Sequence, residues 1–352
     1  MSTDARTTAL PGDIPTHTTM PEPIAVDDIP RFAGVPHKVH PGLREIEETA
    51  VAWALEHRVI AASDESADDW RSQLAGGCAA YVYPESTVEL AALWGRWYIW
   101  WFTVDELAIK YSMRDFVELV CRWDAPLKTG GQTLEGTHPM VRAFADLCRR
   151  TAELIDPDTY AVLAQGCIEA FEGFLIEMAF RDSGDVLKLE GLEPNGEYLV
   201  NHRRTFGAVY DYSIYEACRG YPLPSMLRRT PEWQGLLTAG MDVIILQNDL
   251  NGLARDIRGN DLKNNSVCLL HLQEGLSYPE AVETVKKAIR RRIQDFLSIE
   301  NRLPEFARKH GLGPAERERF AALVRDLKQY SQGGLDWYRE TSRYDTTHPH
   351  TR

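Results

Sequence analysis

From Pro41 to the C-terminal region, apolar residues recur three and four positions apart, and no stretch alternates apolar with polar residues in the manner of a strand. This period predicts helices over 41–59, 85–110, 113–122, 137–153, 157–181, 196–217, 231–257, 277–302 and 314–342. Their starts carry matching chemistry. Pro84 with Glu85, Asp156 with Pro157, Thr230 with Pro231 and Ser277 with Pro279 place a proline or an acid in the first turn, where the unpaired amides and the helix dipole favour them. Breaks fall at "GLEPNG" (Gly191 to Gly196) and "GYPLP" (Gly220 to Pro224), and no internal repeat is present. Residues 1–40 differ: six prolines among Thr, Asp and small residues, with no sustained period, read as a flexible leader. The pattern therefore predicts an all-α chain with one domain over 41–345, a Pro-rich leader over 1–40 and a short tail over 346–352.

Composition narrows the class. The 352 residues are 44% apolar, enough for a substantial core, and the net charge of −13 argues against a nucleic-acid partner, since phosphate backbones need a basic surface. Any anionic substrate must be held by local cations. The six cysteines show no C-x-x-C pair and no Cys/His ligand spacing, which disfavours zinc and a disulfide framework and fits reduced thiols in a cytoplasmic protein. The most apolar stretch, "LAALWGRWYIWWFTV" (Leu90 to Val104), is too short to span a bilayer and contains Arg96, so it reads as a core helix rather than a membrane insertion.

Four constellations carry candidate chemistry. In "LQNDLNGLARD", Asn248, Gly252 and Asp256 stand four apart and drift only ~40° per step, so they share one helix face. Asn and Asp oxygens are hard donors suited to Mg²⁺, which commonly bridges carboxylates to phosphates. In "WWFTVDELAIKY", Trp97, Trp101 and Asp105 end an aromatic stripe on a carboxylate. In "EYLVNHRRTFGAVY", Arg203 stands one turn before Gly207, beside an accessible backbone carbonyl, and its planar fork suits phosphate. Near the end, Arg343 and Tyr344 follow Trp337 and could close over an anion. Singly, each has a plainer reading: a polar-lined buried helix, an aromatic core stripe, a surface arginine and a frayed helix end.

Jointly, in this order and spacing, the four elements resemble the bacterial class I terpene synthases (terpene cyclases), over residues from about 50 to 345. The family's aspartate-rich motif is matched by "VDELAI", its diphosphate-sensing arginine by Arg203, its NDxxSxxxE motif by "NDLNGLARD" and its RY pair by Arg343 and Tyr344; "GNDLKNNSV" resembles the loop that follows the second motif. The resemblance implies a helical bundle or barrel around a central active-site cavity and three Mg²⁺ ions, two held by Asp105 aided by Glu106 and the third by Asn248 with Asp256. Gly252 takes the place of the hydroxyl ligand, a position a water can fill, and Ile109 takes that of the last acid of the first motif. Arg203, Arg343 and Tyr344 would grip the diphosphate, with Arg255 and Lys263 as auxiliary cations. Phe206 would be the linker and Gly207 the backbone effector at the breaking C–O bond, and Trp101, Phe102, Phe171, Phe174 and Trp337 would line the hydrocarbon pocket.

The implied activity is a carbon–oxygen lyase reaction: ionisation of a linear prenyl diphosphate, farnesyl favoured and geranylgeranyl next, to an allylic cation, followed by cyclisation. Two rivals stand beside it. A chain-elongating prenyltransferase would carry a second aspartate-rich motif, which "NDLNGLARD" is not. A catalytically degenerate prenyl-diphosphate-binding protein is suggested by Ile109 and Gly252. A homodimer is left open.

Overall fold

The structure, a computed structural model, describes residues 28–132, 138–259 and 261–344. Among these there is no strand, and the chain forms fifteen α-helices. They are α1 (Leu43–Glu56), α2 (Asp64–Ser72), α3 (Cys78–Val82), α4 (Val88–Lys110), α5 (Met113–Thr129), α6 (Pro139–Leu154), α7 (Pro157–Ser183) and α8 (Glu197–Thr205), then α9 (Ala208–Arg219), α10 (Ser225–Arg228), α11 (Pro231–Gly259), α12 (Ser266–Glu274), α13 (Tyr278–Glu300), α14 (Leu303–Lys309) and α15 (Pro314–Glu340). Helices α4, α7, α9, α11 and α15 contribute to the wall of one central cavity, with α8 and α3 filling the gaps. No helix of the described residues is long and apolar enough to cross a membrane.

Local chemistry fixes the ends of the wall helices. Thr87 caps α4 by accepting from the Leu90 amide, so the helix begins at Val88 rather than at 85. Asp156 accepts from the amides of Asp158 and Thr159, and Pro157 fits the first turn of α7. At α13, Ser277 and Glu280 form a capping box. Helix α5 runs past 122 to Thr129, carrying Pro126 within it, because Trp123 and Leu127 continue its buried face. The short α2, α3, α10, α12 and α14, of four to nine residues, hold too few turns to register a period in the sequence.

The expected single helix over 196–217 is instead two, α8 and α9, broken at Gly207, whose φ of 77° lies in the left-handed region. Close approach by α7 holds this break in place. A Cβ on Gly166 would lie 2.3 Å from the Tyr210 amide nitrogen, and one on Gly173 would lie 2.8 Å from the Thr205 methyl. Two glycines of α7 thus let the kinked α8–α9 backbone sit directly on it, which presents Phe206 and Gly207 to the cavity.

Beside the cavity lies an aromatic core of Trp94, Trp97, Trp100, Trp123 and Phe144, all fully buried. Trp100 packs at 4.7 Å from Phe144 and 4.9 Å from Trp123, so the apolar run of α4 is a core helix. Residues 1–27 lie outside the described residues, as does the tail over 346–352. Residues 28–40 lie against the helices: Ile29 and Phe32 are buried, Phe32 meets the Phe296 ring edge-on, and the Pro30 carbonyl accepts from Gln247. The six cysteines are unpaired, and Cys78, Cys148, Cys167 and Cys268 are buried.

Candidate active site

The cavity is polar at its mouth and aromatic below. On one side of the mouth, the last turns of α4 carry Asp105 and Glu106, both partly exposed. Facing them, α11 brings Asn248, Arg255 and Asp256 to the same cavity. Asp105 and Asn248, the residues on which the sequence reading turns, therefore share one hollow.

The segment after α15 folds back rather than fraying. Thr341 donates its hydroxyl to the Gln73 carbonyl, and the Ser342 amide donates to the Ser72 carbonyl. This turn buries Arg343, whose guanidinium lies 3.8 Å from Asp105, 3.7 Å from Glu106 and 3.0 Å from the Gln73 side-chain oxygen, and 4.4 Å above the Phe102 ring. Tyr344 stands beside it at the mouth. Asn248 donates its Nδ2 to the hydroxyls of Tyr338, at 2.7 Å, and Tyr344, at 3.1 Å, so Oδ1 is the amide's remaining donor atom for a cation. Arg255 approaches the Tyr344 ring at 5.7 Å.

Asp256 accepts from Asn265 at 2.9 Å, yet burial, with repulsion from Asp261, pushes its carboxyl up to about 7. Gly252 makes room for it: a Cβ there would lie 3.0 Å from Asp256 Oδ2. The neighbouring Asp249 turns the other way. Its carboxylate takes the Tyr198 hydroxyl and the Ser266 amide, clamping the loop over 261–265 against α11. That loop supplies Asp261 and Asn264 to the cavity.

Of the proposed wall residues, Trp101, Phe102, Phe174 and Trp337 line the cavity, with Phe102 and Trp337 stacked at 5.8 Å. Phe171 does not; it is buried behind Trp101, packed 4.8 Å from Trp123. Lys263 lines an adjoining hollow with Ile109 and Arg181 and donates to the Phe180 carbonyl. Arg203 is also turned aside. Its guanidinium lies 2.5 Å from Asp242 and donates to the Pro194 carbonyl, while Asp242, fully buried, takes Arg292 at 3.1 Å on its other oxygen. A carboxylate with no access to water needs such partners, and this one draws the fork of Arg203 toward α11. In its place His202, Thr205, Phe206 and Gly207 face the cavity.

Several lining residues were absent from the sequence reading. Glu177, one turn after Phe174 on α7, has its carboxyl pushed up to about 8 by burial, although Thr205 donates to it at 2.9 Å. Asp211 lies one turn after Gly207, and Tyr98, Tyr210, Tyr330 and Tyr338 complete the aromatic lining. Their signal was helical spacing from residues already singled out: Phe174 to Glu177, Gly207 to Asp211 and Trp101 to Tyr98.

Residues 96–295, more than half of the chain, match the model of terpene synthase family 2, C-terminal metal binding. The chain belongs to this family of terpene synthases, lyases of all-α fold with a metal-binding domain. Pentalenene synthase from Streptomyces exfoliatus is 26% identical over 90% of this chain and 93% of its own length. The 7-epi-alpha-eudesmol synthase of Streptomyces viridochromogenes, a (2E,6E)-farnesyl diphosphate cyclising enzyme, is 22% identical over 83% of this chain and 84% of its own. Among solved structures, the linalool/nerolidol synthase from Streptomyces clavuligerus superposes with a TM-score of 0.76 at 21% identity, over 88% of this chain and all of that one.

Proposed function

We propose that this terpene synthase ionises a linear prenyl diphosphate, farnesyl diphosphate first among candidates, with three Mg²⁺ ions, and folds the resulting allylic cation in the aromatic cavity. The observation that carries the reading is that Asp105 on α4 and Asn248 with Asp256 on α11 face one cavity whose mouth is closed by Arg343 and Tyr344. The farnesyl preference rests on the eudesmol synthase relative, whose substrate is (2E,6E)-farnesyl diphosphate.

The donor set fits Mg²⁺. Asp105, Glu106, Asn248 and Asp256 offer hard oxygens, and the raised carboxyl of Asp256 beside Asp261 describes a site where a divalent cation would relieve repulsion. Among the described residues no three His, Cys, Asp or Glu side chains gather closely enough to hold a metal alone. That suits ions that complete their shells with water and substrate phosphate oxygens. When bound, such ions neutralise charge on the departing diphosphate.

The chain's own groups do the rest. Arg343 and Arg255 present guanidinium groups, and Tyr344 a hydroxyl, to the diphosphate; Arg203 braces the α8–α11 contact through Asp242 and contributes charge from behind. The Gly207 carbonyl marks where the first carbon of the chain would lie, with Phe206 linking it to α8. Trp101, Phe102, Phe174 and Trp337 exclude water and offer π faces to the cation. A binding-only reading is favoured by Ile109, exposed where an acid would stand, and by Gly252. Incubation with geranyl, farnesyl and geranylgeranyl diphosphates plus Mg²⁺, with diphosphate assay and volatile analysis, separates the two: release with terpene products supports the synthase, and binding without release supports the rival.

A further inference from the structure

Below the mouth, the cavity is lined by a carboxyl group that no protein cation pairs with among the described residues. Asp211 is almost fully buried, and both its oxygens are held by phenols: Oδ1 accepts from Tyr83 at 2.9 Å and, more loosely, from Tyr98 at 3.5 Å, while Oδ2 accepts from Tyr330 at 2.5 Å. The other buried acids of the scaffold mostly have cationic partners: Asp242 has Arg203 and Arg292, Glu216 has Arg228, and Asp326 has Arg219. Among the described residues no Lys, Arg or His forms an ion pair with Asp211. Burial accordingly pushes its carboxyl up to about 7 against the pull of the three hydroxyls.

The position is as telling as the charge. Asp211, Tyr98 and Tyr330 all line the cavity, beside Cys78, Val82 and Ile244. Tyr98 precedes Asp105 by seven residues on α4, or ~10 Å along the helix axis, and Tyr330 precedes Tyr338 by eight on α15, or ~12 Å. Asp211 itself is one turn into α9 from Gly207, and its amide donates to the Gly207 carbonyl. On α4 and α15 the spacing thus sets the phenols about two turns from Asp105 and Tyr338, while α9 brings Asp211 in from beside Gly207. Oδ2, with a single donor, retains a lone pair for something in the cavity.

We propose that Asp211 is the catalytic residue that takes the final proton from the terpenyl cation, with Tyr83, Tyr98 and Tyr330 as the positioning residues that hold its carboxylate toward the hydrocarbon. The proposal rests on the terpene synthase reading given above. In the step, a C–H bond next to the cationic carbon breaks, its electron pair becomes the new C=C bond, and the proton passes to Asp211 Oδ2. The acid gives that proton to water once product and diphosphate leave and the cavity refills. Before the step, the same carboxylate supplies the counter-charge that draws positive charge away from the mouth. The diphosphate, at the other end, would remove a proton from a different part of the carbon chain.

The test uses the full-length protein with Mg²⁺ and farnesyl diphosphate, or the geranyl or geranylgeranyl homologue if that is what it turns over, measuring diphosphate release and product composition together. In Asp211→Asn, release is expected to persist while the principal wild-type product falls about tenfold or more per diphosphate released, replaced by products quenched earlier or at other carbons. Asp211→Glu, which keeps the charge and moves it, is expected to restore part of that product, and Tyr330→Phe to shift the product ratio in the same direction as Asp211→Asn, but less. An unchanged product profile in Asp211→Asn, or in Tyr330→Phe should the amide variant not fold, overturns the proposal alone. A wild-type protein that releases no diphosphate from any of the three substrates overturns the synthase reading and this proposal with it.

Discussion

Arg343 lies 3.8 Å from Asp105, although 238 residues separate them in the chain. The contact joins the segment after α15 to the last turns of α4 across the cavity mouth. The same guanidinium is held by Gln73 and rests on Phe102, so its position is set before a ligand arrives. Arg343→Lys keeps the charge and loses the fork; diphosphate release is expected to fall on the order of 100-fold, with thermal unfolding changed little. Steady-state release and a melting curve check this, and a Lys variant of wild-type activity would remove Arg343 from the grip.

Arg203 is expected to behave differently, because its partner is Asp242 in the protein interior. Arg203→Ala leaves that carboxylate with Arg292 alone, and a loss of about 3 kcal/mol of stability is expected together with a large drop in diphosphate release. Denaturant unfolding distinguishes this from a purely catalytic arginine, whose removal would leave the midpoint where it was.

Gly166 sits where a Cβ would be 2.3 Å from the backbone nitrogen of Tyr210, a clash that rotamer changes cannot relieve. Gly166→Ala is expected to cost about 1–3 kcal/mol and to move the α9 backbone that carries Gly207 and Asp211. Lower stability accompanied by altered product ratios is the expected result; an alanine variant identical to wild type in both would show that α7 does not set this wall.

Five buried acids give the ligand-free protein a distinctive pH response. Glu47, Asp211, Asp249 and Asp256 are pushed up to about 7 and Glu177 to about 8, chiefly by burial, against about 4 in an unfolded chain. Between these values the native state holds protons the unfolded state has lost, so their contribution is complete below pH 4 and fades as pH rises toward 8. His202, pushed down to about 4 by burial, works the other way, but only below about 6.5. Stability without metal is therefore expected to fall from pH 6.5 to 8, by up to about 1.4 kcal/mol per pH unit per acid, and less steeply in Asp211→Asn. Denaturation midpoints across this range measure it, and a rise in stability over the same interval would contradict the assignment.

The long helices and the polar residues at the cavity mouth were legible in the sequence because both follow a helical period. Asn248 and Asp256 share a face of α11, and the Trp97–Trp101–Asp105 stripe runs down α4, with Trp97 and Trp101 stacked at 6.4 Å. Side-chain direction set by a partner distant in sequence was not legible. Nothing near Arg203 announces Asp242, and nothing near Arg343 announces Gln73. The break at Gly207 depends on Gly166 and Gly173 of another helix. Asp211 escaped because its three phenols come from α4, α15 and the end of α3, so their common purpose exists only in three dimensions.

The most direct test of the account is a Mg²⁺ titration of diphosphate release from farnesyl, geranyl and geranylgeranyl diphosphates by the wild-type protein and by Asn248→Ala. The wild type is expected to release diphosphate from at least one substrate only when Mg²⁺ is present, and the folded Asn248→Ala protein nearly to lose this activity. Release that persists after the metal is chelated, or full activity in Asn248→Ala, would contradict the claim that α4 and α11 gather metal around one diphosphate.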